Sequence, residues 1–216
     1  MKVLLFGHSF ARRTGEYLTT RPYLGQALPG FRLENCGVIE RAHGVGGATF
    51  HKGIAANGRP YKNIQGHLDI IRTSKPDIVL LQLGGNDLAI ADVNPEILAE
   101  YIVGICHFIQ FLGVNHIVVG QLLKRTRCYP LVPNYNEKVA STNAKLQEKL
   151  VEMEGISFWK HQGLHSNIDS LLERDGTHLN RAGMAIYVKS WRSAILAVRR
   201  LLAGKNTRKG RSTWPR

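Results

Sequence analysis

Lys2-Val3-Leu4-Leu5-Phe6-Gly7-His8-Ser9 decides how this chain is read: four large apolar residues, a glycine, and a serine two positions later. Four consecutive apolar side chains, Val3 to Phe6, suit a strand covered on both faces, as in a parallel sheet flanked by helices. Gly7 permits a tight exit. Ser9 then stands at the carboxyl end of the strand and at the mouth of a helix that begins near Phe10, which is where open α/β sheets place their ligands. Taken alone, the same serine reads equally well as a helix N-cap.

Outward from this stretch, strand and helix patterns alternate. Phe10 to Thr20 suits a short helix that breaks before Pro22, and Phe31 to Val38 suits a second strand. Within Tyr61 to Thr73, Ile64, Leu68 and Ile71 recur at near-helical spacing, and Ile78 to Leu83 follows as a third, central strand. Pro95 opens a long apolar helix that Gly113 ends, and His116 to Leu123 is a fourth strand. Tyr135 to Glu154 has helical composition, with Val139, Leu146 and Leu150 inward, and Ile156 to Trp159 is a short fifth strand. Asn180 caps a final helix whose Ala185, Val188, Trp191, Ile195 and Val198 share one face. Parallel neighbours need crossover connections, so this alternation specifies a three-layer α/β/α sandwich around a five-stranded parallel sheet.

A chain of 216 residues that is 44% hydrophobic buries a full core as one domain, here expected over residues 1–204. Residues 205–216, rich in Gly, Ser, Thr, Pro and bases, read as a flexible tail. With no apolar leader and no run of about 18 apolar residues, no membrane span is expected, and the chain reads as intracellular and cytoplasmic. Cys36, Cys106 and Cys128 form no C-x-x-C pair and read as reduced, structural thiols. The net charge is +13, and after Asp175 there are ten Lys or Arg and no acid. That asymmetry would attract nucleic acid or an anionic membrane surface weakly, although the lack of interleaved aromatics leaves a solvated helix face equally open. His161 and His165 are four apart, but Gly163 lies between them and no H-E-x-x-H is present, so no metal is expected. Gly44-Val45-Gly46-Gly47 has neither a G-x-G-x-x-G pattern nor a Gly-Lys-Ser/Thr ending, and no cofactor is expected.

Four stretches follow a strand or precede the last helix: Gly7-His8-Ser9, the glycines at Gly46-Gly47, Gly84-Gly85-Asn86-Asp87, and Asp175-Gly176-Thr177-His178. The architecture gathers them at one sheet edge. In this order and spacing the chain resembles the SGNH, or GDSL-type, hydrolases over nearly the whole domain. The resemblance implies a flavodoxin-like sheet and a serine esterase acting on a small-molecule ester. By position, Ser9 matches the nucleophile, Asp175 and His178 the acid and base, and Gly47 and Asn86 the oxyanion donors, to which the Ser9 N–H adds a third.

The chemistry suits these residue types. Serine is a poor nucleophile until a base takes its proton, and His178 is that base if Asp175 holds the right tautomer. A short acyl ester would be cleaved through an acyl-enzyme, with preorganised N–H donors at the developing oxyanion. Pocket walls are expected from the loops Thr49 to Pro60 and Lys124 to Pro133. One departure from the family pattern stands at His8, where an aspartate is usual; histidine both donates and accepts, and its charge is sensitive to pH near neutrality. The Gly7-His8-Ser9 variant also resembles the esterase-like domains of animal retroelement proteins. Two alternatives remain in view. A catalytically idle SGNH-like module associated with nucleic acid would be expected to have lost at least one of Ser9, Asn86, Asp175 and His178. An α/β-hydrolase elbow is nearly matched by Gly7-x-Ser9-x-Ala11, but no strand precedes the one that delivers Ser9.

Overall fold

The computed structural model describes residues 1–19, 31, 33–53, 59–126, 132–166 and 168–209. Its strands are β1 (Lys2–Gly7), β2 (Ile39–Gly44), β3 (Ala48–Thr49), β4 (Lys62–Asn63), β5 (Ile78–Gln82), β6 (His116–Gly120) and β7 (Ile156–Trp159). The helices are α1 (Ser9–Thr19), α2 (Asp69–Ser74), α3 (Pro95–Phe111), α4 (Tyr135–Leu150) and α5 (Arg181–Lys209). Five strands form one parallel sheet of order β2-β1-β5-β6-β7, and β3 pairs with β4 beside it. This is the flavodoxin-like order, in which the chain runs to one side of β1 and then to the other, leaving a crevice at the carboxyl ends where the direction switches.

The apolar strands divide their side chains between two cores, as a pleat of period two requires. Val3 and Leu5 of β1, Ile78 and Leu80 of β5, and Val118 of β6 pack with Phe10 and Ala11 of α1 and with Tyr187, Trp191 and Ile195 of α5. Leu4, Phe6, Val79, Leu81, Ile117 and Val119 face the other way, onto Leu98, Ile102 and Ile109 of α3 and Val139 and Leu146 of α4. Each such side chain, fully buried, contributes about 1.5–3 kcal/mol relative to exposure. The three-layer sandwich is thus a direct product of β1, β5 and β6 being apolar on both faces.

The second strand is not Phe31 to Val38 but Ile39–Gly44. Phe31, Leu33 and Val38 are buried, yet residues 34–36 make a 3₁₀ turn, and Cys36 and Val38 both donate to the Leu33 carbonyl. The real strand lies at the sheet edge, with Glu40, Arg41 and His43 in it, so it carries no apolar run. Apolar content alone does not separate a strand from a buried turn. Tyr61 to Thr73 is likewise not one helix: it contains β4, a 3₁₀ turn over Ile64–His67 and the start of α2.

On α5 the inward face is Met184, Tyr187, Trp191, Ala194, Ile195 and Val198, whereas Ala185 is exposed and Val188 half-buried. The expected face is right at Trp191, Ile195 and Val198 and one position off at the start. Asn180 caps the helix by accepting from Gly183 N–H at 3.0 Å. The backbone of α5 continues past Gly204 to Lys209, and residues 210–216 of the expected tail lie outside the described residues. Among the described residues, no helix is long and apolar enough to cross a membrane.

Candidate active site

The exit from β1 is as tight as the sequence requires. A Cβ on Gly7 would stand 2.2 Å from the Gln82 carbonyl oxygen, so only glycine lets β1 lie this close to the end of β5. His8 N–H then donates to that carbonyl at 3.3 Å, and α1 begins at Ser9, with Arg12 N–H to the His8 carbonyl as its first helical bond. Ser9 is buried, and its backbone N–H belongs to the helix start, which the helix itself leaves unpaired.

The glycine block follows β2 directly. Val45 N–H donates to the Gly7 carbonyl at 2.9 Å and Ala48 N–H to the Val45 carbonyl at 3.2 Å, which curls the loop back beside Ser9. Gly47 has φ +73°, in the left-handed region, and a Cβ there would meet nothing within 4 Å. Glycine is needed at this position for conformation rather than for space.

Asn86 follows β5. Its Nδ2 donates to the Ala48 carbonyl at 3.0 Å, which links it to the loop of Gly47, and its second Nδ2 hydrogen is not consumed by that bond. The neighbouring Asp87 staples the same two segments: its Oδ1 accepts from Phe50 N–H at 2.7 Å and His51 N–H at 3.1 Å. Burial pushes the Asp87 carboxyl up to about 6, against the backbone donors that pull it down, and its Oδ2 is buried with no hydrogen-bond partner.

Asp175 and His178 lie in a self-closed turn before α5. Asp175 Oδ1 accepts from the N–H groups of Thr177 and His178, both at 2.9 Å, and Oδ2 meets His178 Nδ1 at 2.6 Å. A carboxylate can only accept, so Nδ1 carries the proton and a neutral ring presents Nε2 as its acceptor. Burial alone would raise the Asp175 carboxyl. The His178 ring donor, the two backbone N–H groups and, when the ring is protonated, the His178 charge outweigh that and hold it well below the usual carboxylate range. The turn is brought to α1 by the Arg13–Glu173 ion pair at 2.8 Å, and the His178 ring lies 6.1 Å from that of Phe10, the residue after Ser9.

The structure therefore brings Ser9, Gly47, Asn86, Asp175 and His178 to the carboxyl edge of the sheet. No hydrogen bond joins Ser9 Oγ to His178 among the described residues. Catalytic hydrogen bonds are often long before substrate is bound. A cavity of about 660 Å³ between α1 and β2, lined by Arg12, Glu16, Arg41 and His43, contains none of these five residues.

His8 differs from its expected behaviour. It is only 1% exposed, neither ring nitrogen has a hydrogen-bond partner, and burial, with the positive charges of Arg125 and His178, pushes it down to about 3. It is neutral near pH 7 and is not a second titrating group there. Its neighbour Arg125 does not stand out in the sequence. Arg125 is 8% exposed, and its Nη2 donates to Asn86 Oδ1 at 3.2 Å. The only signal in the sequence is a base just after an apolar run, which is common. Of the other candidates, His161 is buried in a side-chain network and His165 is exposed; among the described residues no group of three His, Cys, Asp or Glu could hold a metal. Cys36 and Cys106 are free thiols, and Cys128 lies outside the described residues.

A parallel five-stranded sheet with a serine, an Asp–His pair and an asparagine at its carboxyl edge defines a class, the serine hydrolases of flavodoxin-like fold. Residues 3–191 match the family model for GDSL-like lipases and acylhydrolases. The chain belongs to that family and is a serine esterase of the SGNH type. Solved structures similar to it include a GDSL-like lipase from Bacteroides thetaiotaomicron, at 17% identity over 91% of this chain and 88% of that one, with TM-score 0.62. A carbohydrate acetylesterase from Sinorhizobium meliloti is 16% identical over 91% and 99%, with TM-score 0.66. An acetyl xylan esterase is 16% identical over 90% and 100%, with TM-score 0.62. At these identities the likeness is one of fold. No curated protein matches the chain in sequence.

Proposed function

We propose that this esterase hydrolyses small carboxylic esters with a short acyl group, acetyl first among them, through an acyl-enzyme on Ser9. The observation that carries the reading is the Asp175–His178 pair, joined at 2.6 Å and packed beside the start of α1, where Ser9 stands. In the first step Ser9 Oγ attacks the ester carbonyl carbon while His178 Nε2 takes the hydroxyl proton. The carbonyl oxygen becomes an oxyanion held by the Ser9 and Gly47 N–H groups and the second Nδ2 hydrogen of Asn86. Collapse breaks the C–O bond to the alcohol, which leaves with the proton from His178. Water then attacks the acyl-Ser9 ester by the same route, delivering the acid and restoring Ser9. Support for a short acyl group comes from the acetylesterases among the structures of like fold.

The test is labelling by a fluorophosphonate, together with a panel of p-nitrophenyl esters of rising chain length. Labelling at Ser9 and a rate that falls from acetate to octanoate are expected. No labelling and no hydrolysis of any ester would sink the reading.

The partner reading concerns the basic end. Arg199 and Arg200 are exposed on α5, and five further bases follow Gly204. This array would hold single-stranded nucleic acid weakly, by counterion release, with affinity falling steeply as salt rises. Fluorescence anisotropy at several salt concentrations should show weaker binding for a chain cut after Gly204, with ester hydrolysis retained. Equal affinities for the two lengths would leave these bases as solvated charge.

A further inference from the structure

Asn86 is asked to present an N–H to the oxyanion, yet a side-chain amide has two faces of nearly equal shape. Turned by half a rotation, it would aim carbonyl lone pairs at the developing negative charge and repel it. Two partners settle the orientation. The Ala48 carbonyl, at 3.0 Å, can only accept and so faces Nδ2. The Arg125 guanidinium, with Nη2 at 3.2 Å, can only donate and so faces Oδ1. A flipped amide would place like against like at both contacts.

Arg125 is itself held rigidly. Its backbone N–H donates to Asn136 Oδ1 at 2.9 Å, and its carbonyl accepts from Asn136 Nδ2 at 2.8 Å, so one side chain of α4 grips both sides of the peptide. The guanidinium lies over the Tyr135 ring, 4.7 Å from its centroid, and the Tyr135 hydroxyl donates to the Gly85 carbonyl at 3.1 Å. Among the described residues no carboxylate pairs with Arg125. His8 lies close enough to Arg125 to feel its charge. A Cβ placed on Gly85 would be 3.5 Å from His8 Nε2 and 3.6 Å from Arg125 Nη2, so both side chains border one spot. The His8 ring carries no negative charge to pair with the guanidinium. His8 thus leaves the arginine charge directed at Asn86.

We propose that Arg125 is the positioning residue of the oxyanion hole: it fixes the Asn86 amide with Nδ2 toward the oxyanion, and its charge polarises that N–H. The inference rests on the esterase reading above. An effect that grows with charge on the carbonyl oxygen belongs to the transition state, so it appears in kcat and leaves KM nearly unchanged.

The experiment compares Arg125→Met, Arg125→Lys, Asn86→Ala and the double variant Arg125→Met/Asn86→Ala on p-nitrophenyl acetate. Arg125→Met should lower kcat by about 10–100-fold, less than loss of an oxyanion donor itself, with KM within a few-fold. Arg125→Lys should recover part of the loss, and it serves as the reporter should Arg125→Met fail to fold. In the Asn86→Ala background the Arg125→Met change should cost little more, because its target is gone; fully additive losses would overturn the proposal in favour of a general packing role. A second readout needs no turnover. The Asn86 side-chain amide should show two distinct 1H–15N resonances in the parent, and these should move in Arg125→Lys. Unmoved resonances would also overturn it. A parent that hydrolyses no ester overturns the esterase reading, while the resonances still decide whether Arg125 holds Asn86.

Discussion

Ser9 with His178 and Ser190 with His161 are each a serine near a histidine, and they differ in what surrounds them. In the first core, Ser190 of α5 meets His161 Nδ1 at 3.0 Å, and His161 Nε2 meets Gln82 Oε1 at 3.3 Å. The Gln82 oxygen accepts, so Nε2 carries the ring proton, and the Ser190 hydroxyl donates to Nδ1. That is the proton arrangement of a nucleophile and its base, and it is more complete than at Ser9. Yet His161 is 0% exposed, is ringed by Tyr187 and Trp191 at 4.8 and 4.7 Å, and is oriented by a neutral amide. Burial pushes it down to about 3, so an imidazolium has nowhere to be stabilised. His178, by contrast, keeps 21% of its side chain exposed and faces a carboxylate. A serine–histidine contact becomes chemistry only where substrate can reach it and an acid stabilises the charge that forms.

The sharpest way to break this comparison is to delete each serine. Ser9→Ala should lower kcat by a factor on the order of 10⁶, as loss of a nucleophile does, with the fold intact because Ser9 lies at a helix start. Ser190→Ala should leave kcat within a few-fold. It would instead cost about 1–3 kcal/mol of stability, since Trp159 Nε1, which donates to Ser190 at 3.0 Å, and His161 Nδ1 both lose their partner. Ester kinetics and urea unfolding on both variants read the two effects; an active Ser9→Ala enzyme beside an inactive Ser190→Ala enzyme would exchange the two assignments.

Smaller losses test the groups around Ser9. Asp175→Asn offers the ring a neutral amide, as Gln82 does for His161, and should lower kcat by about 10⁴-fold, the scale for a base left in the wrong tautomer. Asn86→Ala removes one oxyanion donor and should cost about 10²–10³-fold. Steady-state kinetics should place both losses in kcat. If Asp175→Asn were nearly silent, the carboxylate would not be what separates the two histidines.

Residues whose placement is local are legible in the sequence itself. Ser9 after an apolar run, Gly47 in a glycine block, Asn86 after Gly84-Gly85, and the three-residue spacing from Asp175 to His178 each state their geometry within a few positions. The layering of the sheet follows from alternation and the need for crossovers. What the sequence hides depends on distant partners. The edge strand Ile39–Gly44 has no apolar run because, among the described residues, only β1 pairs with it. His8 reads as able to titrate because nothing in Gly7-His8-Ser9 announces burial beside an arginine 117 positions away. The role of His161 requires Gln82, Ser190 and Tyr187, which lie 79, 29 and 26 positions from it, and no spacing rule links them.

The smallest effect expected separates the two histidines by pH and not by rate. His8 and His161 titrate near 6.5 once unfolded but are held down at about 3 in the fold. Between those values only the unfolded chain binds the two protons, so stability is fully present above pH 6.5 and is lost as pH falls toward 3, at about 1.4 kcal/mol per pH unit for each group. Asp87 acts the other way. Its carboxyl is raised from 3.8 to about 6, so between those values the folded chain takes up the extra proton and gains stability on acidification. One histidine is offset by Asp87 over that window, and the other's contribution of about 1.4 kcal/mol per pH unit remains, to which His43, also lowered by burial and by His67, adds. Replacing His161 with glutamine removes one histidine contribution, and the slope between pH 4 and 6 should fall by about 1.4 kcal/mol per pH unit. Replacing Asp87 with asparagine keeps the acceptor for Phe50 and His51 but removes the opposing contribution, and the slope should rise by about as much. Urea midpoints at pH 4, 5 and 6 measure all three proteins. A His161→Gln slope equal to that of the parent would mean that the buried pair takes a proton in the fold, and the contrast with His178 would then rest on Asp175 alone.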